Sequence, residues 1–207
     1  MRHWIACLVV PALLAGCGAE PVWAPEEAVE RAAYRDTENP PSITLFTVLN
    51  NRSGEGAHSA LMINASQRVI FDPAGTWWHR TAPERNDLHY GITPTMLKFY
   101  TDNHARETFH VDIQTLEVSP EVAEAALQIA EEYGAVPKAF CGRSTSDILR
   151  RLPGFETVPR SIFPRSIMRG FAKIDGVERH QVYDDDSDDN GTVLVAQQTA
   201  APAQPAR

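Results

Sequence analysis

Two residues far apart in the chain, Cys141 and His58, have the side chains of a cysteine nucleophile and its general base. Of the three cysteines, Cys7 and Cys17 fall in an N-terminal export segment, which leaves Cys141 as the thiol of the folded part. A thiolate attacks carbonyl carbon while an imidazole takes up and returns the proton. Each residue also has a structural interpretation: Cys141 as a small buried side chain, and His58 as a strand-edge or core residue.

The sequence around Cys141 predicts that this residue begins a helix. Ile148 and Leu152 would share a helical face with it and anchor that face in the core. The partial positive charge at a helix N-terminus stabilises a thiolate and lowers its pKa. The backbone N–H of Cys141 would then contribute to an oxyanion hole.

A third polar group would have to orient the imidazole of His58. Residues 58–63 and 68–72 predict a hairpin, so Asp72 lies on the strand paired with that of His58 and is the nearest candidate. A slip of one residue would turn Asp72 to the other face. Asp72 could instead simply form the turn before Pro73, and His79 and His89 are possible substitutes as the orienting group.

Strand and helix patterns elsewhere predict an α+β domain with a central antiparallel sheet packed by helices. Thr93-Pro94 and Ser119-Pro120 each combine a capping hydroxyl with a proline in the first helical turn. The sheet is expected from residues 42–73 and 106–118, and the helices near residues 94–103, 120–133 and 141–152.

Residues 1–16 have the basic start and short apolar run of a signal peptide. The segment ends in Leu14-Ala15-Gly16-Cys17, which resembles the bacterial lipobox. This resemblance implies cleavage before Cys17, acyl chains on Cys17, and a membrane as partner, with the chain in the cell envelope facing the periplasm. Gly18 replaces the aspartate that often retains such proteins at the inner membrane, which favours the outer membrane. The alternative is cleavage after a small residue and release as a soluble protein.

Composition divides the mature chain into three parts. Residues 17–41 are predicted to be a lipidated tether with one or two helical turns around residues 26–34. Residues 42–183 are predicted to be the folded domain, and residues 184–207 a disordered tail, first acidic and then rich in Ala, Gln and Pro. The formal charge is −8, or −9 once the signal peptide and its Arg2 are removed. This acidic balance argues against nucleic acid as a partner.

The hairpin of residues 56–72 resembles the histidine hairpin of the NlpC-type papain-fold hydrolases, and residues 141–149 resemble their cysteine helix. Histidine precedes cysteine, as in the circularly permuted branch that includes relatives of lecithin retinol acyltransferase and several bacterial lipoproteins. The resemblance implies a permuted papain-like fold and a thioester on Cys141, with no metal or cofactor. The chain departs from the family at Phe140, where asparagine is frequent, and at Phe71-Asp72, where the third residue is often histidine.

These observations favour a cell-envelope cysteine hydrolase or acyltransferase that acts on an amide or ester. Peptidoglycan stem-peptide amides and lipid acyl groups both suit the motifs. The alternative is a lipoprotein without catalytic activity that uses the same fold as a binding or scaffolding module. A weaker alternative places the function in the acidic tail, as an arm that binds cations or a partner.

Three further patterns bear on ligands. The segment Trp77-Trp78-His79-Arg80 could wall a substrate cleft, although at least one of its tryptophans is expected in the core. Residues 186–191 match the opening of a calcium loop, but its twelfth position is Gln197 instead of glutamate, which favours a solvated acidic tail. His104 and His110 lack the spacing of zinc ligands, so no metal site is expected.

Overall fold

A seven-stranded antiparallel sheet organises residues 18–200, the part of the chain that the computed structural model describes. Its strands, in chain order, are β1 Ser42–Asn50, β2 Gly56–Asn64, β3 Arg68–Phe71, β4 Glu84–Arg85, β5 Leu88–His89, β6 Phe109–Glu117 and β7 Glu178–Val182. Their order across the sheet is β4-β5-β3-β2-β1-β6-β7. The helices within the same residues are α1 Glu26–Ala32, α2 Pro94–His104, α3 Pro120–Glu132, α4 Cys141–Leu149, α5 Pro164–Phe171 and α6 Asn190–Thr199.

Strand β1 is an interior strand of the sheet, next to the middle strand β2. It contains no charged residue, and its first eight residues are buried, as expected for a strand covered on both faces. It pairs with β2 on one side and β6 on the other, which places Val48 opposite both His58 and Val111. The predicted hairpin of β2 and β3 therefore lies beside the most buried strand.

Helices cover both faces of the sheet. Helices α3, α4 and α5 pack on one face and contribute to a core that includes Leu127, Ile148 and Phe171. Helix α2 packs on the other face, where Met96 and Tyr100 are buried. The predicted caps form, because the Thr93 and Ser119 hydroxyls accept the N–H groups of the third residues of α2 and α3.

The predicted α+β class, with a central antiparallel sheet packed by helices, is confirmed. Helix α4 ends at Leu149, three residues earlier than expected, and residues 150–152 form a turn before Pro153. Residues 18–200 contain no helix of the length and apolar character that crossing a membrane requires. The predicted signal peptide, the predicted lipidation site Cys17 and residues 201–207 lie outside the described residues.

The predicted tether and the predicted disordered tail differ from the structure. Helix α1 lies where one or two helical turns were predicted, but it buries Val29 in the core instead of belonging to a free tether. Helix α6 packs on α2, within the residues 184–207 that composition indicated to be disordered. The buried Gln197 explains the second difference, because its side chain donates to the Phe99 carbonyl (2.9 Å) and accepts from the Trp77 indole (3.4 Å). Composition contains no signal for such specific bonds.

A buried ion pair ties the N-terminal segment to β3, the strand that leads into Asp72. Arg68 donates from Nη1 to Asp36 Oδ2 (2.5 Å) and from Nε to the Ile92 carbonyl (2.6 Å). The side chains of Arg68 and Asp36 are only 6% and 5% exposed.

We expect Asp36→Ala to lower the free energy of unfolding by about 3 kcal/mol, because it leaves the Arg68 guanidinium buried without its counter-charge. Urea denaturation measures this change. The control is Glu26→Ala, which breaks the Arg85–Glu26 pair, whose Glu26 side chain is 66% exposed; its effect should stay below about 1 kcal/mol. Equal losses in the two variants would contradict a structural role for the Arg68–Asp36 pair.

Candidate active site

The register of the β2–β3 hairpin places His58 and Asp72 on the same face of the sheet. Leu61 pairs with Phe71, so Asp72 follows the last strand residue opposite Ala60, and Ala60 and His58 share a face. His58 Nε2 lies 2.7 Å from Asp72 Oδ1. The structure thus brings together the predicted base and the first candidate for its orienting group.

Cys141 is the first residue of α4, as the sequence predicts. No side chain among the described residues caps this helix, so its first N–H groups remain free for other acceptors. The backbone N–H groups of Ser59 and Gly142 lower the pKa of the Cys141 thiol, since they favour its charged form. Two hydrogen bonds hold α4 against β2, because the Ser59 and Thr145 hydroxyls are bonded at 3.3 Å and the Thr145 hydroxyl donates to the Ser59 carbonyl at 3.3 Å.

The Cys141 thiol and the His58 imidazole lie close enough for each to shift the pKa of the other. Because Nε2 of His58 faces Asp72, Nδ1 is the ring nitrogen left for the sulfur. Burial alone would lower the pKa of His58, but the Asp72 carboxylate and Cys141 together raise it to about 10. Burial alone would raise the pKa of Cys141, but His58 and the two backbone N–H groups bring it below its ordinary value. Both shifts favour a thiolate–imidazolium pair over the neutral pair.

Asp72 is fully buried and is held as a carboxylate. Burial would raise its pKa, but the positive charge and hydrogen bond of His58 hold the pKa well below the ordinary range. The Tyr100 hydroxyl donates to the same oxygen, Oδ1, at 2.7 Å. Oδ2 faces Gly75, where a Cβ would lie 1.7 Å away. A side chain at position 75 would thus compete with the carboxylate for the same space.

The sequence analysis missed Tyr100 and His104, which complete the surroundings of His58. The His104 ring is stacked on that of His58 with 5.7 Å between centroids and 11° between planes. Its Nδ1 donates to the Tyr100 carbonyl at 2.7 Å, and burial lowers its pKa, so it is held neutral. The one available signal was their spacing, because residues four apart on α2 share a helical face.

His104 also bears on the expectation, made from the spacing of the histidines, that the chain has no metal site. Ligand atoms of His58, Asp72 and His104 lie within 4.8 Å of one another, which is close enough to hold a metal ion. A metal ion at this position would bind the Asp72 carboxylate, which is now hydrogen-bonded to His58. Metal binding would therefore compete with the Cys141–His58–Asp72 arrangement. Asp102, with two aspartates of the acidic segment, forms a second such group in the described part of the chain.

The remaining candidates lie outside this arrangement. His79 is bonded to the Thr81 hydroxyl (2.8 Å) and the Gln197 carbonyl (3.1 Å). His89 is buried on β5 against the edge of the Trp77 ring, 5.1 Å between centroids, and burial lowers its pKa to about 4. Neither histidine is bonded to His58 among the described residues.

Of the two adjacent tryptophans, Trp77 is in the core and Trp78 is 52% exposed. In the segment that resembles a calcium loop, Asp188 is already engaged by the protein. It accepts the N–H of Thr108 at 3.2 Å and lies 3.7 Å from Arg106.

A scan against protein-family models gives no match for this chain, and searches of curated proteins and of solved structures give none either. Function is therefore inferred from the geometry around Cys141.

We expect Cys141 to react with iodoacetamide well below the ordinary thiol pKa of about 8.5. The imidazolium of His58 stabilises the thiolate and itself persists to about pH 10. His58→Ala should raise the apparent pKa of Cys141, since burial then acts without a compensating cation, and Asp72→Asn should raise it less. Mass spectrometry of alkylation rate against pH measures these values. A profile indifferent to His58→Ala would identify Cys141 as a structural cysteine.

Gly75→Ala should shift the alkylation profile toward that of Asp72→Asn, because the new Cβ displaces the carboxylate from His58. The control is Gly191→Ala on α6, where the nearest atom to a Cβ is 3.2 Å away. We expect the control profile to match wild type. A wild-type profile for Gly75→Ala would show that the carboxylate can shift without releasing His58.

Proposed function

We propose that this chain is a cell-envelope cysteine hydrolase or acyltransferase that acts on an amide or ester through a thioester on Cys141. The observation that carries the proposal is one imidazole, His58, whose Nε2 lies 2.7 Å from the Asp72 carboxylate and which lowers the pKa of the neighbouring Cys141 thiol. A cysteine nucleophile is activated when a neighbouring imidazole, oriented by a third polar group, stabilises its thiolate.

The first step is attack of the Cys141 thiolate on the substrate carbonyl carbon. The carbonyl oxygen becomes an oxyanion, which the N–H of Cys141 can stabilise. Among residues 18–200 no backbone carbonyl accepts that N–H. The α4 N-terminus adds partial positive charge at the same place.

His58 then acts as general acid. Its imidazolium donates a proton to the leaving amine or alcohol as the carbon–nitrogen or carbon–oxygen bond breaks, and the acyl group stays on sulfur as a thioester. The now neutral His58 takes a proton from an incoming water or alcohol, which attacks the thioester carbonyl. The thiolate leaves, and the product is a free acid after hydrolysis or a new ester after transfer. Asp72 keeps the imidazole oriented and stabilises its charged form.

Two features support the family and the location. His58 on a central strand precedes Cys141 at the start of a helix packed on the same sheet, which is the element order of a permuted papain-like fold. The lipobox-like end of the signal segment supports a lipid on Cys17 and a place in the periplasm, at the outer membrane. Peptidoglycan stem-peptide amides and lipid acyl groups remain the two substrate classes that suit this chemistry.

We expect the wild-type chain to form an acyl adduct on Cys141 when it is mixed with p-nitrophenyl butyrate or an N-acyl stem-peptide ester. Cys141→Ala should form none, and His58→Ala should acylate at least about 100-fold more slowly, the usual range for loss of a general base. Intact mass and cleavage of the adduct by hydroxylamine identify the thioester. Equal acylation of Cys141→Ala and wild type would contradict the assignment of Cys141 as the nucleophile. If the wild-type chain is never acylated, the result would favour a binding or scaffolding module without catalytic activity.

A further inference from the structure

Four large apolar side chains are exposed around the end of α4 that carries Cys141. They are Trp78 (52% exposed), Phe140 (48%), Ile162 (51%) and Phe163 (64%). Soluble proteins expose single apolar residues freely, but a group of this size at one place marks an interaction surface.

The described contacts show that these residues are neighbours. Phe140 directly precedes Cys141, and the backbone of Ile162 packs so closely on Gly142 that a Cβ there would lie 2.5 Å from the Ile162 carbonyl oxygen. Trp78 lines one surface hollow together with Lys138, two residues before Phe140. The four side chains therefore form a rim beside the nucleophile.

The segment that contains Phe140, Ile162 and Phe163 is basic in a chain that is acidic overall, whereas Glu20, Glu84 and Asp87 line the hollow beside Trp78. Residues 136–170 contain seven Lys or Arg and two Asp or Glu, a net charge of +5, whereas the whole chain has −8. Four of these basic residues lie within three positions of Phe140, Ile162 or Phe163: Lys138, Arg143, Arg160 and Arg165. Each of the four is paired with an acidic side chain, which is Glu20, Asp147 or Glu55. At least one side chain of every pair is partly exposed, so each pair contributes little free energy, and lipid phosphates could replace the carboxylates at little cost.

The N-terminal segment approaches the same rim. Gly18, which follows Cys17 in the sequence, lines the hollow with Trp78, and Glu20 lies 3.7 Å from Lys138. Lys138 is three residues from Cys141, a separation of at most about 11 Å between Cα atoms. The first described residue of the mature chain and the nucleophile therefore lie on one side of the molecule.

We propose that Trp78, Phe140, Ile162 and Phe163 form a membrane-docking face, which holds the Cys141 site against an anionic phospholipid surface. Aromatic side chains enter the headgroup region of a bilayer, and flanking Lys and Arg side chains bind lipid phosphates. The inference rests on the proposed function for the lipid on Cys17 and for what docking accomplishes. Docked in this way, the thiolate would meet substrate carbonyls at the lipid–water boundary.

The test uses the full mature chain with Cys17→Ser, so that binding depends on the protein surface alone. Sedimentation with vesicles of equimolar phosphatidylglycerol and phosphatidylethanolamine should recover the protein, and pure phosphatidylcholine vesicles should recover less. Phe140→Ser/Phe163→Ser should lower the partition coefficient at least about tenfold, because two large apolar side chains no longer enter the bilayer. The matched control is Val195→Ser on α6, where the side chain is 67% exposed, and it should bind like the parent chain.

A second readout protects the test against misfolding of the double variant. Brominated lipids should quench tryptophan fluorescence of the parent chain, and Trp78→Phe should remove most of that quenching. Absence of vesicle binding, or equal binding by the double variant and the Val195→Ser control, would overturn the docking face and leave a protein partner as its occupant.

Vesicle binding does not use the nucleophile, so Cys141→Ala should bind vesicles like the parent chain. The vesicle experiment can therefore contradict the docking face while alkylation and acylation of Cys141 support the proposed function. The reverse combination would contradict the proposed function and leave the docking face supported.

Discussion

The buried contact between His58 and Asp72 is the constraint on which the rest of this site depends. Moving two charges out of water costs several kcal/mol per ion, and only close geometry with further hydrogen bonds offsets that cost. Here the two groups lie 2.7 Å apart, and Tyr100 adds a second donor to the same carboxylate oxygen. The β2–β3 register must turn both side chains to one face, and Gly75 must leave room for the other oxygen. A one-residue slip between these strands would leave both charges buried and unpaired.

The same pair determines the state of the thiol, although Asp72 does not touch it. Asp72 raises the pKa of the imidazole, the imidazole lowers the pKa of the thiol, and Cys141 in turn raises the pKa of the imidazole. Such coupling requires α4 to stay fixed against β2. The Ser59–Thr145 bonds and the close approach of Gly142 to Ile162 provide that rigidity from two directions. Cys141 can therefore be only 8% exposed and still have a lowered pKa, because fixed dipoles and one cation replace the water that burial removes.

Local patterns predicted much of the sheet and the middle helices, because alternation, proline and capping hydroxyls act within a few residues. Strand β7 and helices α5 and α6 were not predicted, since long-range contacts determine them. Strand β7, for example, is mostly exposed and is held by pairing with β6, where Arg179 binds Asp112. In the site, strand pairing was enough to place Asp72 near His58. The four-residue spacing of Tyr100 and His104 indicates a shared face of α2, but their position beside His58 depends on how α2 packs on the sheet, which is a long-range contact.

Folding does not require the four exposed apolar side chains of the rim beside Cys141, because they are largely outside the core. Side chains such as Phe163, 64% exposed, contribute little to the core, yet three of the four belong to the basic stretch of residues 136–170. The N-terminal segment is held nearby, since the Val22 carbonyl accepts from Asn86 at 3.0 Å and Arg68 binds Asp36 farther along. A lipid one residue before Gly18 would therefore be attached to a nearly rigid body instead of a long tether. Because the segment between that lipid and the folded domain would be short, the surface around the attachment point would determine how the domain is oriented on the membrane. The surface near the attachment point would then have to be compatible with headgroups, as an apolar rim with basic neighbours is.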